Sequence, residues 1–194
     1  MTDHMQTVLD FWFGAKGSPE YGENRKIWWV QDDAFDASVA EALGDLSSQA
    51  KTGAFDGWVM SAEGTLALVI LLDQVPRNLF RDSPQAFAFD GIALSHSHNL
   101  VANTRHLDLP GVFRQCVLLP FQHAEDLAVQ EQSVALYEEL GLADGRASAK
   151  QHRDIIKRFG RFPHRNAVLG RPSTADEIAF LENPDRPSFA GGKK

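Results

Sequence analysis

The run Leu66-Ala67-Leu68-Val69-Ile70-Leu71-Leu72 constrains the fold more than any other stretch of the chain. Seven consecutive apolar residues leave no polar face on a helix, and a helix that is apolar all round has to be buried on every side. The run is far shorter than the roughly twenty residues that span a bilayer, so it reads as the central helix of a globular core. Ser61-Ala62-Glu63 opens that helix. Pro76 has no amide to donate and pushes the residue before it out of helical geometry. The helix is therefore expected to break or kink near Val75, just after the polar pair Asp73-Gln74.

Helical periodicity continues on both sides. Val8, Leu9, Phe11, Trp12 and Phe13 form a short first helix ended by Gly14. Phe35, Val39, Leu43 and Leu46 recur at intervals of four, four and three, which marks one buried stripe of a helix from about Asp32 to Lys51. Asp32 or Asp33 would cap it, and Gly53 would stop it. After the central helix, Ser83-Pro84 reads as a cap and first-turn proline for a fourth helix to about Asn103. Further helices are expected over Val112 to Leu119, ended by Pro120, then from about Ala124 to Leu140 and from about Ser148 to Phe159, ended by Gly160. Thr174-Ala175-Asp176-Glu177 is a capping box for an eighth. No alternation typical of strands appears, so the fold class is all-α with about eight helices.

The 194 residues suit one core, expected as a single all-helical domain over 1–182 with a flexible tail over 183–194 that holds Pro184, Pro187, Gly191 and Gly192. A 43% apolar content excludes a disordered chain. The formal charge of -7 argues against bulk attraction to nucleic acid or an anionic membrane. The one cysteine, Cys116, cannot form an internal disulfide and fits a reducing compartment. The start Met1-Thr2-Asp3-His4 lacks the basic segment of a signal peptide, which leads to an expected cytoplasmic location.

The charge is uneven. Residues 150–171 hold seven basic residues (Lys150, Arg153, Lys157, Arg158, Arg161, Arg165, Arg171) and one acid, Asp154, within an acidic chain. Basic side chains on a solvated helix need no further explanation. The stretch Arg161-Phe162-Pro163-His164-Arg165-Asn166 is different, because its aromatic and proline would pin a non-helical segment and fix the direction of its polar side chains. Loops held this way are common binding sites. Arginine suits bidentate contact with carboxylate or phosphate, so the inferred ligand is a small anion.

Two more polar clusters accompany it. Asp73-Gln74-Val75-Pro76-Arg77-Asn78 follows the most apolar helix, where polar groups have little water and need partners. Asp73 and Arg77 pair with each other on one reading; on the other, the proline break aims Arg77 and Asn78 into a cleft. Pro120-Phe121-Gln122-His123-Ala124-Glu125-Asp126 places acids where a helix dipole favours them. His123 with Glu125 or Asp126 is also an orienting pair for acid–base work. The spacings of His123, Asp126, His152 and Asp154 match no compact zinc or di-iron pattern, so no metal is expected. No phosphate loop, dinucleotide fingerprint, nucleophile elbow or CxxC is present, and no cofactor is expected.

Three stretches together carry a resemblance: Leu71 to Arg81, Pro120 to Asp126, and His152-Arg153-Asp154-Ile155-Ile156 through Arg158 to Asn166. With Val8 to Gly14 and Leu169 to Leu181, they are similar to an uncharacterised bacterial family catalogued as domain-of-unknown-function family 924. The resemblance implies antiparallel helix pairs in a tetratricopeptide-repeat-like superhelical stack, and it brings no established activity. Its characteristic polar positions fall here on Asp73, Gln74, Arg77, Asn78, Arg81, His123, Glu125, Asp126, His152, Asp154, Arg161, His164, Arg165 and Asn166. Ala124 stands where the family has a serine, which removes a hydroxyl nucleophile, and Pro172 replaces a more usual acid.

Three readings compete. In the first, Asp73, Gln74, Arg77, Asn78, His152, Arg161, Arg165 and Asn166 bind a small anionic ligand, with His123, Glu125, Asp126 and His164 as catalytic candidates. In the second, the helix pairs form a groove for a peptide or protein partner, with Trp28, Trp29 or Trp58 exposed. In the third, the polar residues are an internal ion-pair network. Fold alone does not choose among them, and oligomeric state stays open.

Overall fold

The computed structural model describes residues 3–191; Met1, Thr2 and the last three residues of the expected tail lie outside the described residues. Among the described residues the chain is all-helical, with no strand. The α-helices are α1 (His4–Phe13), α2 (Asp33–Ala50), α3 (Ala62–Val69), α4 (Val75–Leu79), α5 (Asp90–Ala102), α6 (Gly111–His123), α7 (Leu127–Glu139), α8 (Ala143–Phe159) and α9 (Ala175–Glu182). They fall into two compact units. One comprises residues through Arg81 with Gln85–Pro120, and the other Asp82–Pro84 with the residues from Phe121 onward.

In the first unit the apolar run is buried along its whole length, from Leu66 to Leu72. Around it pack Val8, Leu9, Trp12 and Phe13 of α1, Val39, Leu43 and Leu46 of α2, and Phe113, Cys116 and Val117 of α6. Phe13 stacks on Phe113 at 3.8 Å between ring centroids, and Trp28 stacks on Trp12. Each fully buried side chain of this size contributes about 1.5–3 kcal/mol by leaving water. The caps follow the sequence: Asp32 accepts from the Phe35 amide at 2.8 Å, and Ser61 accepts from the Gly64 amide at 3.0 Å.

The helix expected to break or kink near Val75 does not break, but its regular α geometry is interrupted just before that residue. A π turn over Ile70–Gln74 joins α3 to α4 as one continuous helix. The Val75 amide reaches back five residues to the Ile70 carbonyl. In that register the carbonyl left without a donor by Pro76 is that of Leu71, and the Ser47 hydroxyl of α2 donates to it at 2.8 Å. A widened turn and one neighbouring hydroxyl thus absorb the proline. α6 likewise runs on through Pro120 to His123. Ser83-Pro84 precedes a 3₁₀ turn over Pro84–Phe87, and α5 starts only at Asp90.

In the second unit α7 and α8 form an antiparallel hairpin, since Tyr137 abuts Gly145 while Glu131 pairs with Arg153 further along. α8 begins at Ala143, a turn and more before the expected Ser148. Gly160 ends it in the left-handed region at φ +71°, donating its amide to the Ile156 carbonyl. Thr174 and Glu177 form the expected capping box of α9. Ile155, Ile156, Phe162 and Ala190 form a small apolar core, flanked by Phe159, Phe180 and Phe189. No helix among the described residues is long and apolar enough to cross a membrane.

Candidate functional site

Asp73, Gln74, Arg77 and Asn78 belong to the first unit and sit at and just beyond the π turn. Asp73 is fully buried. Arg77 pairs with it at 3.2 Å, donates to its carbonyl at 2.6 Å, and makes a two-point pair with Asp90 at 2.9 Å for each nitrogen. Gln74 donates to Asp73 Oδ2. Asn78 donates to Asp36 at 2.7 Å, and Arg81 forms a two-point pair with the same carboxylate. Burial raises the Asp36 carboxyl, yet the Arg81 guanidinium and the Asn78 amide hold it below its ordinary range. The acids therefore neutralise the arginines inside this unit, as a buried charge requires.

The other eight expected residues lie in the second unit. Gly160 turns the chain out of α8 into Arg161-Phe162, and a 3₁₀ turn over Pro163–Arg165 follows. Phe162 and Pro163 are buried and pin the segment, as expected. Arg161 turns away to Glu177, with Nε and Nη2 at 2.7 and 2.8 Å from its two oxygens, and to the Pro172 carbonyl at 2.8 Å. The Arg161 guanidinium and the Thr174 amide hold the Glu177 carboxyl down at about 2. Glu125 accepts from the Phe162 amide at 2.7 Å and from Arg171 at 2.6 and 3.0 Å, so its pKa is lowered despite partial burial. Asp126 caps α7 by accepting from the Val129 amide at 2.9 Å. Asn166, fully buried, accepts from Arg171 and donates to Ser173 at 3.1 Å.

A group of rings and the Arg165 guanidinium surrounds the side chain of Phe162. His152 on α8 is buried, and its Nδ1 lies 2.8 Å from the Ser148 carbonyl. A carbonyl only accepts, so Nδ1 carries the proton and Nε2 holds the lone pair of the neutral ring. His123 lies 6.3 Å away between ring centroids, and Phe162 5.7 Å. His164 tilts over Phe162 at 5.4 Å, with Nδ1 buried and without a hydrogen-bond partner. The buried Arg165 places its guanidinium 4.6 Å from the Phe162 ring centroid. Burial pushes His152 down to about 3, against the Ser148 bond, with His123 and Arg165 adding to the shift. His164 is also pushed down to about 3, by burial first and then by Arg165, with Glu125 opposing.

Both histidines are thus neutral rings, with the Arg165 guanidinium acting on each and the Glu125 carboxylate on His164 as well. No group of three or more His, Cys, Asp or Glu among the described residues is placed to hold a metal ion. Of the basic block, Arg153 pairs with Asp154 and Glu131, while Lys150, Lys157 and Arg158 face solvent. Trp28 packs against Trp12 and Phe13 and Trp58 stacks on Phe55, which leaves Trp29 as the most exposed of these three tryptophans.

Sequence reasoning did not find Phe189, whose ring lies on His152 at 3.7 Å. It sits in the stretch expected to be loose, and nothing in its neighbours signals a docking position. Nor did it find Asp36, Asp90 and Glu177 as partners of arginines. Of these, Glu177 carried a signal only for its capping role.

No curated protein matches the chain. A solved structure of a protein of unknown function from Agrobacterium tumefaciens is similar, with 36% identity and a TM-score of 0.83 over 92% of this chain and 96% of that one. The model of a family described as bacterial protein of unknown function (DUF924) matches residues 8–185. With most of its length matched in this way, the chain belongs to that bacterial family.

Proposed function

We propose that the second unit binds a small anionic ligand, a carboxylate or phosphate, at His123, His152, His164 and Arg165. The observation that carries this reading is the buried, unpartnered Nδ1 of His164 beside the positive charge of Arg165. A buried polar atom of this kind costs about 1–3 kcal/mol unless something bonds to it. An anion accepting from it would repay that cost and gain from the guanidinium as well.

Arg161, Glu125, Asp126 and Asn166 serve the scaffold on this reading, because their polar atoms are committed to Glu177, Arg171, the α7 amides and Ser173. His123 and His164 are the candidates for proton transfer to a bound ligand. An anion next to the imidazoles favours their charged form, so binding takes up a proton and tightens as pH falls from neutrality.

Calorimetric titration of the wild type with inorganic phosphate and with acetate tests the reading. Saturable binding is expected, weakened roughly tenfold to hundredfold in Arg165→Gln, as loss of a charge-assisted bond implies. His164→Gln gives a second variant with little change of volume. Arg161→Ala should leave binding intact. Failure of both anions to bind the wild type, or equal binding by Arg165→Gln and His164→Gln, overturns the reading.

A further inference from the structure

Phe189 lies flat on the His152 ring, 3.7 Å between centroids and 9° from parallel, and meets His164 edge-on at 6.0 Å. Ala190 beside it is buried among Ile155, Ile156 and Phe162. The segment that carries them bonds to itself. The Asp185 amide donates to the Asn183 side chain. Arg186 donates to the carbonyls of Ala190, Asn183 and Gly191. The amides of Ala190 and Gly191 donate to Pro187 and Ser188. Among the described residues, these hydrogen bonds of residues 185–191 all stay within 183–191. Pro184 and Pro187 contribute no donors at all. Lifting this segment off the unit therefore breaks none of these hydrogen bonds and exposes Phe189, Ala190 and the His152 ring and apolar side chains that they cover.

We propose that Phe189 is a plug in the ring position of the natural ligand, and that the ligand class is a planar aromatic carboxylate. This deepens the anion-site reading and rests on it. A flat ring would replace the phenyl group on neutral His152, in the same near-parallel stack. Its carboxylate would then accept from His164 Nδ1–H and lie near Arg165. An aliphatic acid of equal bulk cannot lie flat in that stack. The plug competes with ligand, so the affinity of the wild type is lowered by the fraction of molecules in which Phe189 has left.

Benzoate, cyclohexanecarboxylate and acetate are titrated into the wild-type full-length chain, Phe189→Ala and Phe189→Leu, with histidine imidazole NMR as the readout. The leucine variant keeps apolar bulk over His152 should the alanine variant fold poorly. Benzoate is expected to bind at least about tenfold tighter to Phe189→Ala than to the wild type, while the other two acids gain less than about threefold. Phe189→Leu is expected to fall between. The His152 resonances should show ring-current shifts with benzoate alone. Equal gains for cyclohexanecarboxylate and benzoate, or no gain for benzoate in either variant, overturn the plug. If phosphate and acetate still bind the wild type in that case, the anion site stands without it. No binding of any acid to any of the three proteins overturns both.

Discussion

Arg77, Arg161 and Arg171 each meet a carboxylate at two points, and Arg165 packs on the ring of Phe162. The Asp73–Arg77 pair was legible, since residues four apart on a helix are neighbours. The partner 13 positions on, Asp90, and the Asp36–Arg81 pair across 45 positions were not, because sequence spacing says nothing about which helices meet. The same limit hid Phe189 and the Arg161–Glu177 pair. His152 and His164 were legible as candidates, but their charge state was not, because burial decides it. Their imidazole signals in an NMR pH titration are expected to stay those of neutral rings through pH 5, as values of about 3 require. Titration of both near their ordinary 6.5 would contradict the burial that defines the site.

Eight helical rods were legible from periodicity and caps, with α3 and α4 counted as one. The π turn was not, because a proline announces a missing donor without saying which carbonyl loses it or what replaces the bond. Ser47 supplies the replacement at Leu71. Ser47→Ala leaves that buried carbonyl unpaired and is expected to cost about 1–3 kcal/mol in urea unfolding. An unchanged unfolding midpoint would show that the hydroxyl is dispensable. Gly145 makes the opposite point about propensity. Alanine is favoured over glycine in a helix by about 1 kcal/mol, but a Cβ here would overlap the Tyr137 ring. Overpacking of a buried contact costs about 1–3 kcal/mol, so Gly145→Ala is expected to lower stability on balance. A stabilised variant would mean that α7 and α8 shift apart at no cost.

For the whole molecule the depressed pKa values set an acid limit in two stages. The unfolded chain takes up protons on His152 and His164 at their ordinary 6.5, while the folded chain resists to about 3. Stability from these rings is full above pH 6.5 and falls as pH drops below it, at roughly 1.4 kcal/mol per unit for each histidine. Glu125 and Glu177, whose folded values are lowered from 4.5, add a second loss once pH falls through that value. Urea midpoints are therefore expected to decline from pH 6.5 and more steeply below about 4.5. A flat profile between 7 and 4.5 would contradict neutral buried histidines.

The anion site is tested most directly by histidine imidazole NMR of the wild-type chain titrated with inorganic phosphate at neutral pH. The His164 and His152 resonances are expected to move along one saturable curve, toward the protonated form, with no movement of His4 or His98, and in Arg165→Gln only at roughly tenfold to hundredfold higher phosphate. Unmoved His152 and His164 signals at saturating phosphate, or equal shifts in the wild type and Arg165→Gln, would contradict a ligand site there and leave the polar residues as an internal network.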